Sequence, residues 1–178
     1  MPSGARRFDP DRRQRIIDAA IRVVGAKGIA GLSHRSVAAE ADVPLGSTTY
    51  HFKTLDDLLV AALRQANEAF APALAVREGG DLAAALARLL GELLSADRGR
   101  VELEYELYLA ALRRPALRPV AAEWGEAVAA ALAPRTDPVT ARALVAVMDG
   151  ISLQVLLTDA EYDESYAREI LRRVLGPG

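Results

Sequence analysis

The chain has 178 residues, of which 51% are hydrophobic, 26% charged and 5% aromatic, and it contains no cysteine. This composition is typical of a globular protein, and the missing cysteine excludes disulfides, thiolate nucleophiles and cysteine-based zinc sites. Apolar stretches such as 82–94 are interrupted and fall short of the ~20 residues of a membrane span. The N-terminus lacks the apolar segment of a secretory signal. We therefore expect a cytoplasmic protein with no membrane partner, no metal site and no cofactor.

Charge is distributed unevenly about a boundary that we place after Leu55. Residues 1–55 hold nine Arg or Lys against five Asp or Glu, a net charge of +4, so residues 56–178 carry −6 of the total −2. A basic segment attached to a larger acidic body is typical of a chain that meets a polyanion at one end. The sequence therefore predicts two domains, 1–55 and 56–178.

Apolar residues recur at helical spacing from end to end, and no stretch alternates with period two for long, so we predict an all-α fold of about nine helices. Asp9-Pro10 and Gly28 bound the first helix, Ser33 caps the second, and Thr54 with Asp57 resembles a capping box. The predicted helices are, in chain order, about 10–27, a short helix after Ser33, 44–51, one from Thr54 to Pro72 or the Gly79-Gly80 pair, one after Asp81, 100–113, 117–133, 138–158 and 162–175.

Residues 32–59 carry the most informative pattern, because two short helices are separated there by a tight turn. Val37, Ala38 and Ala41 are small enough to let the two helices cross closely. Asp42 stands where the turn needs a residue that tolerates the left-handed region. Gly46 has no side chain, so its backbone can lie against a sugar-phosphate strand. This arrangement predicts a helix-turn-helix that binds double-stranded DNA.

The segment resembles the tetracycline-repressor (TetR) family of transcriptional regulators over about residues 15–59. The chain length and the weakly patterned helical remainder also suit that family. The residues that carry the resemblance are the apolar first helix ending near Gly28, Leu32-Ser33-His34-Arg35, Val37-Ala38, Ala41, Val43, Gly46, Tyr50-His51-Phe52 and Leu58.

The resemblance implies that the third helix enters the major groove while the start of the second touches its rim. Base reading is then expected from Arg35, Leu45, Thr48 and Thr49, because an Arg fork can bind guanine and methyl groups suit thymine. Phe52 is expected inside the domain. Phosphate or backbone contacts are expected from Ser33, His34, Gly46, Ser47, Tyr50, His51 and Lys53, with Arg6, Arg7 and Arg12 as an N-terminal arm.

Three positions depart from the family pattern, and several residues have a structural alternative. Thr49 replaces a common aromatic, Leu55 replaces a Lys at the start of the fourth helix, and Asp42 replaces the usual turn Gly. The loss of the Lys removes one phosphate contact. The structural alternatives are Tyr50 as a core aromatic, His51 as a solvated cap and Arg35 paired with Glu40 or Asp18.

The last two predicted helices present small or flat faces suited to close packing. By resemblance they form a four-helix homodimer interface, and a short recognition helix needs two copies about one DNA turn apart for useful specificity. The alternative is that these faces close the core of a single chain. The faces comprise Ala143, Val147, Gly150, Ile151 and Val155 on the eighth helix, and Ala167, Ile170, Leu171 and Val174 on the ninth.

The resemblance also implies a small-molecule effector bound in the C-terminal domain. A binding site should be apolar with a few converging polar groups. By elimination, the candidates are Tyr105, Glu106, Tyr108, Leu109, Trp124, Met148, Asp149 and Gln154. Glu102, Glu104 and Glu106 could equally form a solvated face, and Asp149 could be a structural carboxylate tied to a neighbouring helix.

Together these features predict a homodimeric TetR-like regulator, a repressor more often than an activator, that binds a palindromic operator and is released by an unidentified effector. In this hypothesis the effector shifts the fourth helix and changes the spacing of the two DNA-binding domains. The alternative function is a small-molecule-binding helical protein or enzyme with a vestigial DNA-binding domain. We do not expect an enzyme, because phosphate-loop, zinc-protease and nucleophile-elbow motifs are absent and both histidines, His34 and His51, lie in residues 1–55.

Overall fold

The computed structural model describes residues 9–75, 80–158 and 160–176, with side chains given outside 69–75. Within these ranges the chain is helical and has no strand, as the sequence predicts. In the described ranges three single-turn 3-10 helices accompany the α-helices, at Ile29–Gly31, Ala110–Leu112 and Pro115–Leu117. The α-helices are α1 (Arg12–Lys27), α2 (His34–Glu40), α3 (Leu45–His51), α4 (Leu55–Ala75), α5 (Leu82–Ala96), α6 (Arg98–Leu109), α7 (Arg118–Leu132), α8 (Pro138–Thr158) and α9 (Glu164–Leu175).

The chain divides into two compact units, Met1–Ala62 and Leu63–Gly178, and the division falls inside α4. This is seven residues beyond the change in charge at Leu55. We call the first unit the head and the second the body. In the head, α2 packs on α1 and on α3. Its core consists of apolar side chains at most 7% exposed, among them Ile16, Val24, Val37, Phe52 and Leu58.

Local hydrogen bonds explain where the short helices of the head begin and end. Ser33 caps α2 in a reciprocal box with Ser36, with N–H to Oγ distances of 3.0 and 2.8 Å. Asp42 has φ of 52°, which confirms the prediction of a left-handed turn residue between α2 and α3. Thr54 and Asp57 exchange hydrogen bonds of 2.9 and 3.1 Å, so the capping box before α4 is also confirmed.

In the body, α5 packs on α9, and α8 packs on both α7 and α9. One apolar core joins these four helices, and Leu86, Leu90, Leu144, Met148 and Leu171 are among its buried members. Asp81 accepts the N–H of Ala84 and Asp163 that of Tyr166, so each caps the helix that follows it. The core leaves α6 at its margin, because Leu107 alone among the α6 residues is buried.

Two predicted helix bounds need correction, and a third is narrowed. The first helix begins at Arg12, because the Asp9 carboxylate binds the N–H of Asp11 and the guanidinium of Arg15 without capping a helix at Pro10. The fourth continues past Pro72 to Ala75, so of the two ends that the sequence offered, Pro72 is excluded. The sixth ends at Leu109 and tightens into the 3-10 turn Ala110–Leu112, a common way to close a helix before a proline.

The apolar character of α8 differs from what the sequence predicted. Among the described residues, α8 alone is long and apolar enough to cross a membrane, whereas no such segment is expected from the sequence. A third of its apolar window is buried within the chain. Several apolar α8 side chains therefore lie at the surface, among them Val139 and Leu157, which are 78% and 79% exposed.

Candidate nucleic-acid interface and ligand cavity

One face of the head is formed by exposed side chains of α2 and α3. Arg35, Thr49, Tyr50 and Lys53 are exposed, and Leu45 is 46% exposed although it is apolar. A Cβ built on Gly46 would meet no atom within 4 Å, so the backbone there is open to close approach. Ser47 and His51 lie half-buried beside them. The face thus combines hydroxyl, aromatic and basic groups, which is the chemistry of a surface that contacts DNA.

Thr48 does not belong to this face, contrary to the sequence-based expectation. Its side chain is fully buried, and its hydroxyl donates to the carbonyl of Leu45 at 2.8 Å and lies 3.5 Å from that of His34. The hydroxyl is therefore occupied in joining α3 to the start of α2, and its methyl group packs inside the head. The prediction that Thr48 contacts a base is therefore wrong, and its side chain packs inside the head.

Arg35 lies on the exposed face without the ion pairs that the structural alternative required. Glu40 pairs with Arg22 at 2.6 Å, and the Asp18 carboxylate accepts a hydrogen bond from Gln14 at 2.9 Å. Both acids are therefore occupied by other residues. Tyr50 is 81% exposed, so it is not a core aromatic, and its ring meets that of His51 edge to face at 5.1 Å.

The remaining residues that were predicted to contact DNA are partly buried or already bonded to other residues of the head. Ser33 uses its hydroxyl in the α2 capping box, and the Nδ1 atom of His34 is buried with no hydrogen-bond partner among the described residues. The Nε atom of Arg12 lies 3.6 Å from the Oδ2 atom of Asp9, so this arginine forms an ion pair within the head. Phe52 packs inside the head as predicted, with the Arg13 guanidinium 5.1 Å from its ring centre. Arg6 and Arg7 lie outside the described residues.

The body contains an apolar cavity of about 80 Å³ lined by residues of five helices. Five of the predicted ligand residues line it, namely Tyr105, Tyr108, Trp124, Met148 and Asp149. Leu109 lines a separate surface groove, while Glu106 and Gln154 are exposed and line neither. The residues that sequence reasoning did not place there are Ala66, Asn67, Leu90, Leu93, Leu94, Val101, Glu104, Val128, Val145 and Ser152.

Asp149 is the carboxylate on the α8 side of the cavity. The Tyr105 hydroxyl donates to its Oδ1 atom at 3.0 Å, so the carboxylate is also tied to a neighbouring helix. Burial raises the pKa of Asp149, and the hydrogen bond from Tyr105 opposes that rise. Burial also raises the pKa of the Tyr105 phenol, and the negative charge of Asp149 raises it further. The cavity thus holds a poorly solvated negative charge, which favours a cation.

Glu104 places a second carboxylate at the same cavity, from α6. Its side chain is 21% exposed and bonds the Arg100 Nε atom at 2.9 Å. Burial raises the pKa of Glu104, and Arg100 acts in the opposite direction. Glu102 and Glu106 are exposed, so the solvated-face alternative describes them and not Glu104. Sequence periodicity carried a signal for Glu104, since it lies four residues from Tyr108 and so on the same helix face.

Part of the α8 and α9 faces that were predicted to form a dimer packs instead against the core of the same chain. Ile151, Ala167 and Leu171 are at most 8% exposed and belong to the body core, so for them the packing alternative holds. Val147 and Val174 are half-buried and pack against the same core. Ala143, Gly150, Val155 and Ile170 are half-buried and do not belong to that core, and a Cβ on Gly150 would meet nothing within 4 Å. A narrower apolar face therefore remains open.

The exposed face of α2 and α3 and the apolar cavity of the body are those of a class of protein, a DNA-binding regulator with a ligand site. Residues 16–62 match the profile of bacterial regulatory proteins of the tetR family, and residues 77–177 match a tetracyclin repressor-like C-terminal domain. The chain belongs to the TetR family of transcriptional regulators. Regulators of this family are soluble proteins that repress transcription by binding DNA through a helix-turn-helix and that respond to small molecules.

Particular relatives narrow the comparison. The chain is 31% identical over 161 residues to the nicotine-responsive transcriptional repressor HdnoR of Paenarthrobacter nicotinovorans, covering 81% of this chain and 83% of that repressor. It is 75% identical to the multidrug binding protein EbrR crystallised with imidazole, with a TM-score of 0.89 and coverage of 96% and 98% of the two chains. EbrR crystallised with ethidium matches at 74% identity, TM-score 0.89 and coverage of 93% and 99%.

Proposed function

We propose that this chain is a cytoplasmic homodimeric repressor whose effector is an aromatic cation bound in the body cavity. The observation that carries the proposal is the cavity itself, which combines the Asp149 and Glu104 carboxylates with the rings of Tyr105, Tyr108 and Trp124. Aromatic faces attract cations, and the acidic body raises their local concentration. Ethidium, bound by the relative EbrR, is an aromatic cation.

The open face of α8 and α9 supports the homodimer. A regulator that reads a few base pairs per recognition helix needs two copies about 34–36 Å apart. The exposed apolar side chains of α8, including Val139 and Leu157, would be covered by the same helix of a second copy. We propose that Ala143, Gly150 and Val155 form the centre of that contact.

The helix α4 offers a covalent route from effector to operator. Ala66 and Asn67 of α4 line the cavity, and the same helix starts at Leu55, directly after the segment that follows α3. We propose that effector binding displaces α4 and changes the spacing of the two heads. A coupling of about 1–3 kcal/mol is the usual size of such a linkage.

The operator is found by selecting the purified protein against random duplex DNA and titrating the enriched sequence at two salt concentrations. An enriched palindrome with half-sites one helical turn apart is expected. Arg35→Ala should lose about 1–3 kcal/mol of operator affinity and relax one base position. Arg22→Ala, an exposed arginine paired with Glu40, is the matched control and should keep the same site preference. An unchanged preference in Arg35→Ala would contradict the base-reading role.

Effector binding is tested without DNA by titrating ethidium against the fluorescence of Trp124, the one tryptophan in the chain. Quenching should saturate, and Asp149→Asn should weaken ethidium binding at least tenfold. Glu104→Gln should weaken it less, and Glu102→Gln, an exposed residue of the same helix, should not change it. Equal effects of Glu104→Gln and Glu102→Gln would remove Glu104 from the site.

Release of the operator needs a different probe, because ethidium itself intercalates into DNA. Tetraphenylphosphonium is an aromatic cation without a fused planar ring system. It should dissociate the protein from its operator in the wild type and fail to do so in Asp149→Asn. Retention of the complex at saturating tetraphenylphosphonium, despite confirmed binding, would contradict the proposed coupling through α4.

A further inference from the structure

The two carboxylates of the body cavity have partners of different charge. Asp149 accepts a hydrogen bond from the Tyr105 hydroxyl at 3.0 Å, and burial raises the pKa of that phenol, so this partner is neutral. Glu104 instead accepts a hydrogen bond from the Arg100 Nε atom at 2.9 Å. The negative charge of Glu104 is therefore balanced by its partner, whereas Tyr105 leaves the charge of Asp149 unbalanced.

Glu104 and Asp149 are the only acidic or basic side chains among the described residues that line the cavity. The other lining side chains are apolar, phenol, indole, amide or hydroxyl groups. Residues 69–75, which complete α4, contain no charged amino acid in the sequence. The described lining, taken together with its ion pair to Arg100, thus carries one unbalanced negative charge, at Asp149.

Arg100 acts on the cavity from outside its wall. It lies in the first turn of α6, where the exposed Asp97 carboxylate caps the helix by accepting the Arg100 N–H at 3.0 Å. The spacing of four residues places Arg100 and Glu104 on one helix face. Arg98, in the same turn, bonds Glu102 and two backbone carbonyls near the end of α8. Of these two arginines, Arg100 is the one that bonds the cavity carboxylate.

The balance at Glu104 holds in either protonation state. Burial raises the pKa of Glu104, and Arg100 acts in the opposite direction. When Glu104 is ionised, its charge is paired with the guanidinium of Arg100. When it is protonated, it carries no charge and Arg100 remains positive. In neither state does Glu104 offer a free negative charge to a ligand.

We propose that the cavity selects singly charged over doubly charged aromatic cations, and that Arg100 sets this selectivity by balancing the charge of Glu104. The inference rests on the proposed function, since it concerns the class of effector that the same cavity takes. A first positive charge on the ligand is attracted by Asp149. A second one has to compete with the Arg100 guanidinium for the Glu104 carboxylate and is repelled by that guanidinium.

Ethidium and propidium test the proposal, because they share one phenanthridinium ring system and propidium carries an additional quaternary ammonium group. The Kd of each is measured at pH 8, without DNA, from the quenching of Trp124 fluorescence. The Kd of propidium divided by that of ethidium is compared between variants, so that the larger size of propidium cancels. In Arg100→Gln this ratio should fall about threefold, as for a partly exposed charge pair, and added salt should reduce the change.

Three further variants separate charge from shape. Arg142→Gln is the matched control, because it removes an arginine that pairs with Glu126 at 3.1 Å, and neither residue lines the cavity. Arg100→Lys keeps the positive charge. The double variant of Arg100→Gln and Glu104→Gln removes the pair as a unit and restores the balance. All three should keep the wild-type ratio, whereas additional room left by a shorter side chain would lower the ratio in the double variant as well.

An unchanged ratio in Arg100→Gln, or an equally lowered ratio in the double variant, would overturn the selectivity role of Arg100. Binding of ethidium by the same proteins would in that case leave the proposed effector site in place. Absence of ethidium binding by the wild type would overturn the proposed effector site, and the selectivity with it.

Discussion

The head and the body place their candidate functional residues differently with respect to their cores. In the head, Arg35, Tyr50 and Lys53 are exposed, while Val37 and Phe52 hold the helices together. In the body, the cavity is lined by residues such as Leu90 and Met148 that are also members of the core. Binding and stability should therefore be separable in the head and coupled in the body.

The largest effect is expected from Met148→Ala. Met148 is 5% exposed, lines the cavity and packs in the body core. Its truncation should lower the free energy of unfolding by about 2–5 kcal/mol and change ethidium affinity at the same time. Urea denaturation and ethidium titration measure the two quantities. A changed ethidium affinity with an unchanged free energy of unfolding would show that binding and stability are separable in the body as well.

A smaller loss is expected from Gly91→Ala in α5. A Cβ at Gly91 would lie 2.8 Å from the Tyr162 ring, whose hydroxyl donates to the carbonyl of Ala87 at 2.6 Å. The added methyl should displace this ring and cost about 1–3 kcal/mol of stability by overpacking. Gly125→Ala in α7 is the control, because a Cβ there meets nothing within 4 Å. It should stabilise by about 0.5–1 kcal/mol through helix propensity, and thermal unfolding compares the two.

Ethidium binding by the body should depend on pH, whereas no such dependence is expected from the head. Because burial raises the pKa of Asp149 above its ordinary value of 3.8, this carboxylate takes up a proton at a higher pH than an exposed one. Ethidium affinity should fall as pH decreases through that raised pKa, approaching tenfold per pH unit below it. The dependence should be reduced in Asp149→Asn, and Glu104, whose pKa is also raised, should account for the remainder. Ethidium titrations between pH 4 and 8 measure it.

For unfolding, the sign of the same pKa shift is opposite to that of a salt-bridged carboxylate. The folded state holds the Asp149 proton more tightly than the unfolded state, so this group's contribution to stability decreases as pH rises from its unfolded pKa through its raised folded pKa. Asp149→Asn should remove that slope in urea denaturation. A slope that persists unchanged in the variant would assign it to other groups.

The smallest effect is expected from Lys53→Ala in the head. Lys53 is exposed just after α3, so we expect it to contact one phosphate. Its loss should weaken binding to all DNA sequences alike and reduce the salt slope of binding by about 0.9. Stability should not change, in contrast to Met148→Ala. A loss confined to the selected operator would instead assign Lys53 to base reading.

Much of the fold could be predicted because its signals are local. Ser33, Asp81 and the pair Thr54 and Asp57 cap helices through bonds that span three residues, so sequence order alone brings the partners together. The left-handed turn at Asp42 is local as well. The bounds that failed, at Pro10 and beyond Leu109, are helix ends where capping competes with other bonds to the same groups.

The sequence by itself determined the helical class, the helix-turn-helix and the family, because helical periodicity and the spacing of small, polar and turn residues are written in consecutive positions. Only the tertiary structure decided that Thr48 is buried, that Glu104 and Ser152 join Asp149 at one cavity, and that Ile151, Ala167 and Leu171 serve the body's own core. The physical reason is that burial depends on which helix packs against a given face. Helices as far apart in the chain as α4 and α8 meet at the cavity through packing, and the periodicity of each helix does not specify its neighbour.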